Sequence, residues 1–139
     1  MKAISIIIAI RQHIISECYA MADGWFPCIK QKVYAALVTA DGEIYYGANW
    51  MTVGDIEVCP RIAQKQTGYE LCASVCGQGT EFHAERQAIW STLYSGASTV
   101  GASLYITGHT YCCDSCKAGM IEAGVVFAGS LDSGTYYNF

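Results

Sequence analysis

Hydrophobic residues near the N-terminus recur at the spacing of a helix. The apolar positions between residues 3 and 20 that fit one helical face are Ile4, Ile7, Ile8, Ile14, Ile15 and Cys18. The pattern predicts a buried amphipathic helix over this segment. Asp23-Gly24 and Pro27 then interrupt the chain before the next element.

Apolar runs bounded by turn residues predict the remaining elements. Residues 33–40 and 43–47 read as two strands joined by a tight turn at Asp41-Gly42. Further elements are predicted as helices over 69–76, 83–94 and 113–123, strands over 102–107 and 125–129, and a polar, aromatic tail over 131–139. Gly124 is expected to end the last helix, because glycine is common just past a helix C-terminus.

This order of elements predicts a single domain over residues 1–139, with no internal repeat and no second unit. Strands alternating with helices indicate an α/β protein. We expect a three-layer α/β/α sandwich whose mixed sheet is mostly parallel. The strand–helix–strand unit over 102–129 should pair its two strands in parallel, because a helical crossover returns the chain in the same direction.

Composition and charge restrict the classes of partner. The chain has 139 residues, of which 53% are hydrophobic and 14% charged, and its formal net charge is −4. Proteins that grip long DNA or RNA normally carry a basic surface, since phosphate contacts dominate that affinity. The acidic balance and the lack of a lysine or arginine run therefore make long nucleic acid an unlikely partner and favour a small molecule.

The eight cysteines would suggest disulfides in a secreted protein. The apolar run after Lys2 ends early, at Arg11, and no small-residue cleavage site follows it. The run is also too short to span a bilayer, so no membrane association is expected. We therefore expect a reducing, cytoplasmic environment in which cysteines are free to bind metal.

Two short motifs carry the candidate chemistry, His83-x-Glu85 and Cys113-x-x-Cys116. One imidazole and two thiolates make a three-ligand zinc set, which leaves a tetrahedral position open for a water molecule, as catalytic zinc requires. Cysteines three residues apart share one face of a helix. Glu85, two residues past the histidine, is placed to carry protons beside the metal.

Each part of this set has a simpler explanation when taken alone. His83 could be an ordinary satisfied histidine, and Glu85 a carboxylate favoured by the first turn of a helix. Cys113-x-x-Cys116 could be a redox pair. A purely structural zinc site is the other alternative, with a fourth ligand from Cys112 or His109. The combination and its order favour a catalytic zinc site.

These motifs resemble the zinc-dependent cytidine/deoxycytidylate deaminase superfamily. The resemblance covers about residues 33–129 and rests on Gly47-Ala48-Asn49, His83-Ala84-Glu85-x-x-Ala88-Ile89, Leu104-Tyr105-Ile106-Thr107, Cys113-x-x-Cys116 and Ile121-x-Ala123-Gly124-Val125. The last run is most similar to deoxycytidylate deaminases, including phage-type members.

The resemblance implies roles for individual residues. His83, Cys113 and Cys116 would bind one catalytic Zn²⁺, and Glu85 would be the general acid/base. Substrate-contacting residues would include Asn49, bonding a sugar hydroxyl, together with Ala84 and Tyr111. Where the family usually has proline before the first cysteine, this chain has Cys112, which we interpret as a buried replacement, and the loop before it is about two residues longer.

The segment between Asn49 and His83 bears on the substrate. A long insertion here is typical of deoxycytidylate deaminases, and Asn49 lacks the Asn-x-Glu pattern of the free-nucleoside enzymes. We therefore expect hydrolytic deamination of dCMP to dUMP, with Arg61 and Lys65 as phosphate contacts. The alternatives are a cytidine or deoxycytidine deaminase, a dCTP deaminase, or a deaminase of cytosine or adenine in single-stranded nucleic acid.

Further residues are candidates for secondary roles. Aromatic side chains that could stack on a base or close the pocket are Trp50, Tyr111, Tyr136, Tyr137 and Phe139. A second, structural zinc could be held by Cys59, Cys72 and Cys76 with help from Cys28 or Cys18, although cysteine is also a small buried hydrophobe. The family resemblance further implies a homo-oligomer.

Overall fold

The computed structural model describes residues 2–21, 26–28, 31–51, 59–65 and 83–139. Its helices are α1 (Lys2–Ala20), α2 (Pro60–Ala63), α3 (Ala84–Tyr94) and α4 (Asp114–Glu122). Its strands are β1 (Phe26–Pro27), β2 (Tyr34–Val38), β3 (Ile44–Ala48), β4 (Trp50–Met51), β5 (Ser103–Thr107), β6 (Phe127–Ser130) and β7 (Tyr136–Asn138). The helix predicted over 69–76 and the break at Asp23-Gly24 lie outside the described residues.

A five-stranded mixed sheet forms the centre of the molecule, in the order β3-β2-β5-β6-β7. In the register of the sheet, Tyr34 of β2 lies opposite Ala48 of β3 and Thr107 of β5. The predicted parallel pairing of the crossover strands, β5 and β6, is confirmed. A separate two-stranded ladder joins β1 to β4.

The α/β class and the mixed sheet are confirmed, but the expectation that the sheet is mostly parallel is wrong. Among the pairings of this sheet in the described residues, only β5–β6 is parallel, whereas β2–β3, β2–β5 and β6–β7 are antiparallel. The tight turn after β2 returns the chain in the opposite direction, as any short hairpin must. The predicted tail contributes β7, an edge strand that folds back on β6.

Helices cover both faces of the sheet, which confirms the three-layer arrangement. Successive side chains of β2 point to opposite faces, as in any strand. Tyr34 and Ala36 join a core with Ile14 and Cys18 of α1, while Ala35 and Leu37 face the other side. The second core is the larger one, and it includes α3 and α4 residues such as Ala88, Cys116 and Met120.

Helix α1 forms as predicted, and the buried side chains in its described part, Ile14 and Cys18, lie in its C-terminal half. The apolar side chains exposed on its N-terminal half are Ile6, Ile7, Ile8 and Ile10. Three consecutive isoleucines point in three directions around a helix, so they cannot all face the sheet. An apolar cavity of about 660 Å³ lies between this half and the sheet. No helix in the described part of the chain is long and apolar enough to cross a membrane.

The predicted ends of α4 and of the β2–β3 hairpin are confirmed. Gly124 has φ +84°, and the Val125 and Gly124 amides donate to the carbonyls of Met120 and Ile121. These paired bonds are the Schellman arrangement that ends a helix in the left-handed region. Gly42 has φ +89° and occupies the hairpin turn.

Gly47 allows α3 to lie directly against β3. A Cβ atom at this position would collide with the Ala88 amide nitrogen and lie 2.5 Å from the Ala84 carbonyl oxygen. A glycine inside a strand often marks such a close approach of two backbones. The start of α3, which carries the predicted metal and proton-transfer residues, is therefore fixed against the sheet at Gly47.

We expect Gly47→Ala to lower the free energy of unfolding by about 3 kcal/mol, because the obstructing atoms are backbone and cannot rotate away. The matched control is Gly42→Ala, whose new Cβ would meet no atom within 4 Å. Its left-handed φ should cost about 1 kcal/mol. Urea denaturation measures both. Equal losses in the two variants would contradict the close-packing interpretation.

Candidate metal centre

Three side chains converge where α3 and α4 begin. The ligand atoms of His83, Cys113 and Cys116 all lie within 4.8 Å of one another. Nδ1 of His83 is 3.7 Å from the sulfur of Cys113 and 3.4 Å from that of Cys116. Cys116 is buried, whereas the other two are partly exposed. The cluster is therefore anchored on one side and accessible from the other.

The helix starts explain this convergence. His83 is the N-cap of α3, and Cys113 is the N-cap of α4. The sulfur of Cys113 accepts a hydrogen bond of 3.4 Å from the Cys116 amide, in the way that an N-cap oxygen usually does. The partial positive charge at a helix N-terminus favours thiolate over thiol. Both helices thus direct their positive ends toward the sulfur atoms.

The pKa values of the two cysteine thiols are shifted in opposite directions. Hydrogen bonds from Cys116 and His83 lower the pKa of Cys113 to about 4, against the opposing effect of burial. The hydrogen bond to Cys113 raises the pKa of Cys116, and burial raises it further. A bound divalent cation would deprotonate both thiols, because a coordinating thiol loses its proton outright.

Glu85 lies beside the cluster and is 5% exposed. Burial raises the pKa of its carboxyl group, and the nearby charge of Cys113 acts in the same direction. A hydrogen bond from its own backbone amide opposes this rise. A buried carboxyl group next to two cysteines and a histidine is typical of functional sites.

One nitrogen and two sulfurs are the donors that zinc prefers, so the residues present fit this metal. In the described part of the chain, the only group of three or more metal-ligating side chains is His83, Cys113 and Cys116. The fourth-ligand candidates lie outside it. His109 accepts a hydrogen bond from the Tyr111 amide, and burial raises the pKa of Cys112 to about 12. The described side chains therefore supply three ligands, which is the number that a catalytic zinc site takes from the protein.

Burial of Cys112 agrees with its interpretation as a replacement for proline. Its side chain is 2% exposed and belongs to the core under α3 and α4. A thiol with a raised pKa is a poor nucleophile, because the thiolate is the reactive form.

Sequence reasoning missed Arg86, which joins the two helix starts. Its guanidinium donates to the carbonyl oxygen of Ser115 at 2.9 Å and to the hydroxyl of Ser115 at 3.1 Å. The signal was available in the sequence, because a cation in the first turn of a helix opposes the helix dipole and calls for another explanation. Here the Arg86 guanidinium hydrogen-bonds to Ser115 in the first turn of α4.

Comparison with known proteins identifies the family. Residues 9–128 match the model described as cytidine and deoxycytidylate deaminase zinc-binding region. The chain belongs to this family. The matched region contains all three side chains of the observed cluster.

A solved structure shows the same fold. The chain is similar to cytidine deaminase from Burkholderia pseudomallei, with a TM-score of 0.54 and 22% sequence identity over 91% of each chain. A comparison with curated protein sequences found no match.

The predicted substrate residues lie on four different segments of the chain. Asn49 follows β3, and its side-chain oxygen accepts from the Val33 amide at 2.8 Å while its nitrogen donates to the Gln31 carbonyl. Ala84 is buried and its carbonyl faces Gly47. Tyr111, in the loop before α4, is 54% exposed. Arg61 lies on the short helix α2.

The tail and insertion aromatics occupy two different regions. Trp50 is buried in the α1-facing core, with its ring packed edge-on against Tyr19 and Tyr34. This position makes it a packing residue rather than a stacking surface for a base. Tyr136 and Tyr137 belong to β7, and the Lys117 ammonium of α4 lies 4.6 Å from the Tyr137 ring. Phe139 stacks on Tyr137.

The cysteines predicted for a second zinc are only partly described. Cys72 and Cys76 lie outside the described residues. Cys59 is the buried N-cap of α2, and Cys28 is partly buried. Cys18 donates to the Gly47 carbonyl oxygen at 3.3 Å, so it already has a structural partner. The second zinc stays a prediction.

Purified protein should contain about one zinc per chain from the cluster, and Cys116→Ser should lose it, because the buried sulfur anchors the site. Cys112→Ala is the matched control, since this neighbouring thiol lies outside the cluster and should leave the zinc in place. Mass spectrometry under native conditions measures the ratio. Retention of zinc by Cys116→Ser would contradict the ligand assignment, and a wild-type ratio of two would reveal the second site.

Proposed function

We propose that this protein is a zinc-dependent deaminase that hydrolyses dCMP to dUMP and ammonia. The observation that carries the proposal is the convergence of one imidazole nitrogen and two sulfurs at two helix starts, with the buried Glu85 beside them. Membership in the cytidine and deoxycytidylate deaminase family supports the reaction class. The choice of a nucleoside monophosphate as the substrate is the more specific part of the proposal.

His83, Cys113 and Cys116 would hold the zinc ion. When bound, zinc supplies Lewis-acid activation of a water molecule. Glu85 accepts a proton from the attacking water and delivers it to N3 of the cytosine ring. It then carries the remaining proton to the amino group on C4, which leaves as ammonia. Water supplies the oxygen of the uracil product, so the reaction needs no other reactant.

Charge supports a small nucleotide as the substrate. The chain has 8 Lys and Arg residues against 12 Asp and Glu residues, which disfavours a long polyanion. Arg61 on α2 and Lys65 just after it supply local positive charge in the insertion. We assign them to the 5′-phosphate, and Asn49 to a sugar hydroxyl. The homo-oligomer expected from the sequence stays a prediction.

Glu85→Gln should retain zinc and lower kcat by about a thousandfold, because the amide cannot accept and release protons. Ammonia release and zinc content are measured on the same preparation. The matched control is Glu122→Gln at the exposed end of α4, which should retain full activity. Loss of zinc together with activity would indicate a structural role for Glu85, and full activity would contradict its role in proton transfer.

A panel of cytidine, deoxycytidine, dCMP, dCTP and a cytosine-containing oligonucleotide tests the substrate. We expect dCMP to have the highest kcat/KM, as measured by chromatography of the uracil products. Faster turnover of a free nucleoside, of dCTP or of the oligonucleotide would replace the substrate assignment and leave the deamination chemistry intact. Turnover of none would contradict the proposed function.

Arg61→Gln should raise KM for dCMP about tenfold, because a charge-assisted bond to phosphate is lost. KM for deoxycytidine, which has no phosphate, should stay unchanged. Lys65→Gln should act in the same direction, and Lys2→Gln at the start of α1 is the charge-matched control. Equal effects on dCMP and deoxycytidine would contradict the phosphate assignment.

A further inference from the structure

The loop between β5 and the zinc-binding cysteines is bonded to the turn between β6 and β7. The loop spans residues 108–112 and leads directly into Cys113. The turn, counted from Ser130 at the end of β6, spans residues 130–135 and connects the two strands at the far edge of the sheet. Three consecutive loop residues, Gly108, His109 and Thr110, each bond through the backbone to a side chain of this turn.

Asp132 makes the central contacts. One of its carboxylate oxygens accepts a bond of 2.9 Å from the Gly108 amide. The other accepts 2.8 Å from the Thr107 hydroxyl and lies 3.1 Å from Nε of Arg11 on α1. The Arg11 Nε also donates to the Thr107 hydroxyl. Asp132 therefore ties the end of β5, the first loop residue and α1 to a single carboxylate.

Two serines of the turn hold the next two loop residues. The Ser130 hydroxyl donates to the His109 carbonyl oxygen at 2.6 Å. The Ser133 hydroxyl donates to the Thr110 carbonyl oxygen at 2.7 Å. Ser130 is buried, and its oxygen also accepts bonds from the Asp132 and Ser133 amides. The turn is thus internally braced while it holds the loop.

The opposite side of the loop is fixed by the segment before β2. The Gln31 side chain donates to the Gly108 carbonyl oxygen at 2.9 Å, and the Gln31 carbonyl accepts from Asn49. Gly108 has φ +94°, and a Cβ there would collide with the Lys32 carbonyl oxygen. The backbone of Gly108 is therefore held between Gln31 and Asp132, in one hydrogen-bonded path from Asn49 to the turn.

We infer that the β6–β7 turn, through Asp132, Ser130 and Ser133, positions the loop that holds Tyr111, the residue predicted to contact the substrate, just before Cys113. These three are positioning residues, since they act through the loop backbone. The inference rests on the proposed function only where KM is measured. The effect of the turn on the loop is measured independently, by hydrogen exchange of the loop's backbone amides.

The carboxylate of Asp132 is suited to this task because it accepts bonds from three groups at once. An asparagine at the same position keeps the shape but has one oxygen, so it leaves either the Gly108 amide or the Thr107 and Arg11 pair without its acceptor. The effect should fall on the placement of the loop more than on metal binding, because the sulfur of Cys113 is separately held by the Cys116 amide.

The test compares Asp132→Asn with Asp41→Asn, which makes the same charge change in the exposed β2–β3 turn. In Asp132→Asn we expect amide hydrogen exchange over residues 108–111 to accelerate about tenfold. KM for dCMP should rise about tenfold with kcat changed less than about twofold, and zinc content should stay at the wild-type ratio. Asp41→Asn should alter none of these.

The Ser133 pair provides a milder second test. Ser133→Ala should accelerate exchange and raise KM about threefold, because one neutral hydrogen bond is lost. Ser133→Thr keeps the hydroxyl and should restore both values. This pair decides the question if Asp132→Asn fails to fold. If Ser133→Ala and Ser133→Thr both show wild-type exchange rates and KM, the inference is overturned.

Other outcomes separate the two proposals. Accelerated exchange over 108–111 in a protein that turns over no cytosine substrate supports the positioning role and overturns the proposed function. Exchange and KM like those of Asp41→Asn, in a protein that deaminates dCMP, overturn the positioning role and leave the function in place. The positioning role is also overturned if Asp132→Asn loses zinc together with a general fall in the free energy of unfolding, since the turn would then stabilise the whole fold.

Discussion

The close contact between α3 and β3 at Gly47 is the constraint on which the site depends. A strand residue without a side chain lets the first turn of α3 rest on the backbone of the sheet. That contact sets the position of His83 and Glu85. The parallel crossover from β5 to β6 then brings the start of α4 to the same edge. The starts of α3 and α4 therefore meet because of the Gly47 contact and the parallel β5–β6 crossover.

The meeting of two helix starts also determines what the site can bind. Each N-terminus presents partial positive charge, which stabilises negative sulfur and so prepares the cluster for a cation. Arg86 adds a mechanical link between the helices through Ser115. The carboxyl group of Glu85 is buried in the same place, where water is largely excluded. The site combines a soft metal-binding set with one enclosed carboxyl group.

The sequence predicted the parts of the molecule that local spacing controls. Cysteines three apart at a helix start, and a histidine two residues before a glutamate, locate the metal cluster without any structure. Gly124 likewise ends α4 as expected. These predictions succeeded because the relevant geometry spans one or two helical turns. The chemistry of the motif needs little information from the rest of the chain.

Predictions that depend on distant partners were weaker. The tail over 131–139 has few apolar residues, and only its pairing with β6 reveals β7. The consecutive isoleucines of α1 suggest burial, but the sheet covers only one side of that helix. Trp50 looks like a stacking residue until Tyr19 and Tyr34 are found packed around it. Such outcomes are decided by tertiary contacts that periodicity does not encode.

Gly47 also has a second partner, on the opposite layer of the protein. Its carbonyl oxygen accepts a hydrogen bond from the Cys18 thiol of α1, while the backbone of α3 fills the space that a side chain at this position would need. A single residue thus links the outer helix on one face to the helix that carries Glu85 on the other. A displacement of α1 would therefore act on the same strand residue against which the start of α3 rests.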